Sequence, residues 1–135
     1  MKRLEVSDEE KVELGKEYPF LVSDGGFNHM DDVPSGWLNI FKEFLPKLKI
    51  RLIEIDKLNE YKITQIKEKF GTIRVYDNFC DEKIIKLIQE LEYKSEKTCI
   101  ICGEPATYVS LGWISQKELN MILIYVLNGI NHIKW

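Results

Sequence analysis

The sequence predicts a small α+β domain, with two or three helices packed on a β-hairpin or small antiparallel sheet. Three observations carry this reading. Behind Ser35, the residues Trp37, Phe41, Phe44, Leu45, Leu48, Leu52 and Ile55 recur at helical spacing and form one broad apolar stripe. The run from Tyr61 to Tyr76 instead places strand formers on both sides of Phe70-Gly71. After Asp81, helical spacing returns with Ile84, Leu87, Ile88 and Leu91.

Taken in order, Ser7-Asp8-Glu9-Glu10 is a capping box. Ser7 can accept from the backbone three residues on, and Glu10 can reach back to the cap. A short helix over 8–17 follows, stopped ahead of Pro19. Phe20 to Pro34 is rich in Asp, Gly and Asn, which is loop chemistry. A loop of that length either wraps the domain or is mobile.

Pro46 interrupts the helix that begins at Ser35. Proline lacks the N–H and crowds the preceding turn, so a kink, or a break and restart, is expected there. A strand over Ile50 to Ile55 is the competing reading. In the hairpin, Gly71 can take the positive φ of a tight reversal. The spacing departs from the two-residue Asn-Gly pattern, so the turn position stays open. Strand alternation places Gln65, Lys67 and Lys69 on one face, and Ile66, Glu68 and Phe70 on the other.

Asp81 is the expected N-cap of a helix running to about Ser95. Thr98 to Ala106 has the composition of a compact knuckle, and Leu119 to Leu127 suits a buried helix or a strand. No repeat, low-complexity segment or linker divides the chain. One domain over 1–135 is expected, with its core at about 34–115 and a tail at 116–135 of unsettled membership.

Length and charge bound the function classes. A chain of 135 residues buries about two-thirds of its unfolded surface, so its core needs no disulfide or metal. The net charge of −3 lacks the basic excess of a nonspecific nucleic-acid binder, although a local basic patch remains open. No apolar run follows the basic residues at the N-terminus, and Met121 to Leu127 is too short to cross a bilayer. A cytoplasmic protein without membrane contact is expected. Cys80, Cys99 and Cys102 are odd in number, which argues against a disulfide framework.

Several segments together resemble a known family. They are Gly36-Trp37 opening a helix, Gln65-Ile-Lys-Glu-Lys-Phe-Gly-Thr-Ile-Arg74-Val-Tyr76, Glu92-Tyr-Lys-Ser95, Thr98-Cys-Ile-Ile-Cys-Gly103 and Gly112-Trp113-Ile114. In this order they resemble small uncharacterised proteins of bacteriophages, prophages and bacterial genomes. Those proteins carry a QIKEKFGxLRFY-like hairpin followed by a CxxCG knuckle. The resemblance spans about residues 34–115 and implies a zinc-ribbon-like knuckle in a phage or prophage protein, placed in the host cytoplasm if phage-encoded. Similar proteins follow Gly-Trp-Ile with a second cysteine pair. Here Ser115-Gln-Lys-Glu-Leu119 carries neither Cys nor His, which leaves a degenerate knuckle. A changed reading frame near Ser115 is one history that fits.

Each candidate site has a functional and an ordinary reading. Cys99 and Cys102 have the two-residue gap that aims two thiolates at one tetrahedral zinc, with Gly103 for the turn. That is half of a four-ligand site, and His132 is the favoured reserve ligand. Otherwise the two are free thiols without metal. A redox pair fits less well, because that motif usually opens a helix. Lys67, Lys69 and Arg74 form a basic hairpin face suited to phosphate or an acidic partner, or a solvated face with Glu68 pairing locally. Trp37, Trp113 and Phe70 are stacking candidates, but such residues are more often core. Asn28-His29-Met30-Asp31-Asp32 offers a base or metal ligand without any nucleophile motif.

These residues support three functional readings. The first is a non-enzymatic binding module that presents Lys67, Lys69 and Arg74 to a macromolecular partner, with protein favoured over nucleic acid by the acidic balance. The second is a metal-dependent hydrolase or nuclease using His29, Asp31 and Asp32. It expects those side chains to converge beside Arg74, whereas the module expects a disordered His29 loop. The third is a truncated or degenerate family member without function, with Ile122, Ile124 and Val126 left exposed.

Overall fold

The computed structural model describes residues 6–105, together with the backbone of 107–108 and 133–134. Among these residues the architecture is α+β, with three α-helices and a two-stranded antiparallel sheet. Ser7 accepts from the Glu10 amide at 3.1 Å and opens α1, Asp8–Glu17. The reciprocal half of the expected capping box does not form. The Glu10 carboxylate reaches Lys42 instead and ties α1 to the next helix.

The segment between α1 and the next helix is a strap rather than a free loop. Two short 3-10 turns, Pro19–Leu21 and His29–Asp32, bury Phe20, Leu21, His29 and Met30. A Val22–Asn28 bridge closes the excursion between them.

A further 3-10 turn, Ser35–Trp37, leads into α2, Leu38–Glu54. The predicted stripe is the buried face of α2. The helix does not break and restart at Pro46, and residues 50–54 are helical rather than strand. Pro46 sits on the exposed side, so the helix loses one backbone bond at a position where water can replace it. Asp56 takes φ +56 just past the helix, and Lys57 and Asp56 donate back to Leu52 and Ile53. That is a Schellman stop, which leaves those last-turn carbonyls satisfied.

Strands β1, Ile63–Lys69, and β2, Thr72–Asp77, pair antiparallel. Lys69 pairs with Thr72, so Phe70-Gly71 is a two-residue turn after all. Its residues have φ +54 and φ +78, the positive values a type I′ reversal demands. The inner face of the hairpin buries Ile63, Ile66, Ile73 and Val75 in the common core, with β2 against α3 and β1 against the His29–Asp32 turn.

Helix α3, Glu82–Glu96, starts at the predicted cap, where Asp81 accepts from the Ile84 amide at 3.1 Å. It lies antiparallel to α2, as the order of the ion pairs Arg51–Asp81, Lys47–Glu90 and Glu43–Lys94 requires. Two short strands, β3 (Thr107–Tyr108) and β4 (Ile133–Lys134), pair in parallel. The predicted element at 119–127, and Ile122, Ile124 and Val126 within it, lie outside the described residues. No helix among the described residues is long and apolar enough to cross a membrane.

Candidate functional site

The outer face of the hairpin carries Gln65, Lys67 and Lys69, as strand alternation predicts, and the register adds Arg74 and Tyr76 from β2. Lys67 stands directly opposite Arg74 in the register. Facing like charges are unfavourable in a sheet. Arg74 is relieved in part by Glu92 of α3, at 3.5 Å, yet its Nε is buried with no hydrogen-bond partner among the described residues. Lys67 and Lys69 have no carboxylate at ion-pair distance among the described residues. Each instead places its ammonium over an aromatic ring, Lys67 at 5.3 Å from the Tyr76 centroid and Lys69 at 5.7 Å from that of Phe70.

Glu68 does not neutralise this face. It points to the inner side, and its carboxylate accepts from the Gly71 amide at 3.1 Å, bracing the turn. Phe70 departs from the sequence reading as well. It belongs to the turn rather than to the Ile66 face, and it is 61% exposed. A bulky side chain at φ +54 costs on the order of 1 kcal/mol relative to Gly or Asn. The backbone is therefore strained at the residue that shows the most aromatic surface on the hairpin.

The predicted His29-Asp31-Asp32 group does not assemble on this face. Asp31 pairs with Lys11 at 2.6 Å, on α1. His29 is 5% exposed and stacks edge-on against Phe27, with Nδ1 3.9 Å from Asp32 and no hydrogen bond among the described residues. Arg74 reaches Glu92, and among the described residues its side chain makes no hydrogen bond or ion pair with the His29 turn, although β1 lies against that turn. The disordered His29 loop expected of a binding module is not seen either. Asn28 caps the turn at the Met30 amide and donates to the Lys11 carbonyl at 2.9 Å, which fixes it.

The cysteine knuckle is built largely by backbone contacts. Cys99 N–H donates to the Glu104 carbonyl at 2.8 Å, and Gly103 N–H donates to the Cys99 carbonyl at 3.0 Å. Gly103 takes φ +78 to close the turn. The knuckle then docks on the turn ahead of α2. The Gly36 amide donates to Ile100 at 2.7 Å, Ser35 Oγ to Ile101 at 3.2 Å, and Trp37 Nε1 to Thr98 at 3.1 Å. A Cβ at position 36 would lie 2.0 Å from the Cys99 carbonyl oxygen, so only glycine fits. Gly36-Trp37 and the CxxCG segment, two pieces on which the family resemblance rests, thus touch each other. Trp37 is fully buried and is core rather than a stacking surface. Trp113 lies outside the described residues.

Cys99 is 2% exposed, Cys102 is half-buried and Cys80 is exposed. Burial pushes the Cys102 thiol above its ordinary value, the backbone at Glu104 opposes this, and the neighbouring Cys99 thiol adds to it. Two adjacent thiols are half of the donor set for a tetrahedral zinc. No group of three or more His, Cys, Asp or Glu side chains converges for a metal among the described residues, and His132 lies outside them. The described residues therefore do not complete a zinc centre.

Sequence reasoning missed Ser95, a buried hydroxyl that joins α3 to the edge of β2, and Tyr61, whose hydroxyl donates to Asp77 at 2.5 Å. The one local signal for Ser95 is a small polar residue on the apolar stripe of α3. Comparison with protein-family models, with curated proteins and with solved structures gives no match.

Proposed function

We propose that this chain is a non-enzymatic binding module whose contact surface is the outer face of the hairpin, with Lys67, Lys69 and Arg74 meeting an anionic macromolecule. One observation carries the reading: Lys67 faces Arg74 across the sheet, while Lys67 and Lys69 have no carboxylate partner among the described residues. Among the described residues, Lys11, Lys42, Lys47, Arg51, Lys57, Lys86 and Lys94 are paired with carboxylates, whereas Lys16, Lys49, Lys62, Lys83 and Lys97 are not, so the feature peculiar to this face is the cation-on-cation register. Two cations held face to face across the sheet have a standing electrostatic cost, which an anionic partner relieves. In the phage or prophage setting that the resemblance implies, such a partner belongs to the host or to the phage.

The test is a titration of 15N-labelled protein with polyglutamate, followed by amide shifts. The expected shifts concentrate on Gln65, Lys67, Lys69, Arg74 and Tyr76 and vanish in the Lys67→Glu/Lys69→Glu variant. Shifts spread evenly over α1 and α2, or equal in the variant, would remove the hairpin as the contact surface.

A further inference from the structure

We infer that the hairpin face takes single-stranded nucleic acid, with phosphates on Lys67 and Lys69 and bases stacked on Phe70 and Tyr76. The inference rests on the binding-module reading above and names its ligand. The overall acidic balance points toward a protein partner, but binding depends on the local field, and here the local charge is positive. An acidic protein surface needs cations alone. The two exposed rings set beside them, Phe70 at 61% and Tyr76 at 42% exposure, add flat apolar planes on which unpaired bases can stack.

Each ring has one lysine ammonium over it, at 5.7 Å for Phe70 and 5.3 Å for Tyr76. Aromatic planes interleaved with cations are the arrangement that holds unpaired bases and backbone phosphates together. Tyr76 lies four positions along β2 from Thr72, beside the turn. The backbone from Thr72, next to the turn, to Tyr76 spans about 13 Å along the strand, a length that a short extended oligonucleotide covers. A duplex hides its base faces and is not the ligand these rings suit.

The backbone supplies a second, independent observation. The first position of the two-residue turn holds Phe70 at φ +54, where Asn or Gly is favoured. Strain retained at an exposed aromatic side chain points to a use for the ring rather than for the turn.

The experiment is fluorescence anisotropy of a labelled oligothymidylate of about 16 nucleotides, with the matching duplex and polyglutamate as comparison ligands. The proteins are the full chain and its Lys67→Gln/Lys69→Gln, Phe70→Asn and Tyr76→Ser variants. Single strands are expected to bind in preference to duplex. Each aromatic variant is expected to weaken binding by about fivefold or more. The slope of log affinity against log salt should be about −2, from about −0.7 per phosphate at Lys67, Lys69 and Arg74, and should fall to about −0.7 in the lysine variant, which keeps Arg74. Phe70→Asn is expected to relieve the turn and to melt no lower than the parent, so that a loss of binding in it is not one of unfolding.

Single-strand binding that ignores both aromatic variants overturns the inference. Binding of polyglutamate at this face without any oligonucleotide binding overturns it too, but leaves the anionic-surface reading standing. Binding of neither ligand removes both.

Discussion

The Ser95 hydroxyl accepts the Ile73 amide hydrogen at 3.0 Å and donates its own to the Glu92 carbonyl at 2.6 Å. Ile73 lies on the edge of β2 that β1 does not reach, so α3 covers a sheet edge that would otherwise bury an unpaired N–H. Ser95→Ala removes the acceptor and leaves the Ile73 amide stranded. The expected loss is about 1–3 kcal/mol of unfolding free energy, read from urea denaturation. A variant as stable as the parent would mean that water replaces the hydroxyl.

Gly36→Ala tests the docking of the knuckle. The added methyl meets the backbone at Cys99 and Ile100, neither of which is a flexible side-chain end. A cost of about 3 kcal/mol is expected, together with faster reaction of the buried Cys99 thiol with a disulfide reagent. Gly25→Ala, whose new methyl meets only Ser23 Oγ at 3.9 Å, serves as the near-neutral comparison.

Much of the fold was legible because it depends on local spacing. The bounds of α1, the Asp81 cap, the α2 stripe and the Lys67 face all follow from periods of 3.6 and 2 and from cap chemistry. What was missed depends on relations that spacing does not encode. The type I′ turn was obscured because Phe70 stands where the backbone favours Asn or Gly. The helix continues through Pro46 because tertiary packing of Phe44, Leu45 and Leu48 outweighs one lost bond. The knuckle contacts join residues 61 and 66 positions apart, and no window of sequence shows them. In the candidate site, strand alternation placed the cations, but the lack of carboxylate partners was visible only in three dimensions.

Asp81 sets an acid limb of stability. Two hydrogen bonds of 2.9 Å from Arg51, helped by the Ile84 amide, hold its carboxyl at about 2, below the ordinary 3.8. A depressed folded-state value means that this contribution is complete above pH 3.8 and is lost as pH falls from there through about 2. Asp81→Asn still caps α3 but carries no charge. Its urea midpoint should fall less steeply than that of the parent between these two pH values. Parallel curves would assign the acid limb to another carboxylate.

Chelation separates the two readings of Cys99 and Cys102. Among the described residues the knuckle is held by hydrogen bonds to Ser35, Gly36 and Trp37, and no complete ligand set is present. A strong chelator is therefore expected to leave the melting temperature unchanged. One zinc per chain, with a fall in melting temperature on chelation, would require ligands from outside the described residues, with His132 the first to mutate.

The attachment of the knuckle to the turn ahead of α2 also sets an order of events in time. Closing a chain over 61 to 66 residues carries more entropic cost than the two-residue reversal of the hairpin. The hairpin can therefore assemble as soon as its strands exist. On the ribosome, Ser35–Trp37 must wait until residues 98–101 have emerged, and the start of α2 stays open through most of synthesis. In refolding with pulsed amide exchange, protection at Gly36 should lag behind protection within β2, and simultaneous protection would contradict this order. A segment made 61 to 66 residues after the turn ahead of α2 is then the one that locks that helix in place.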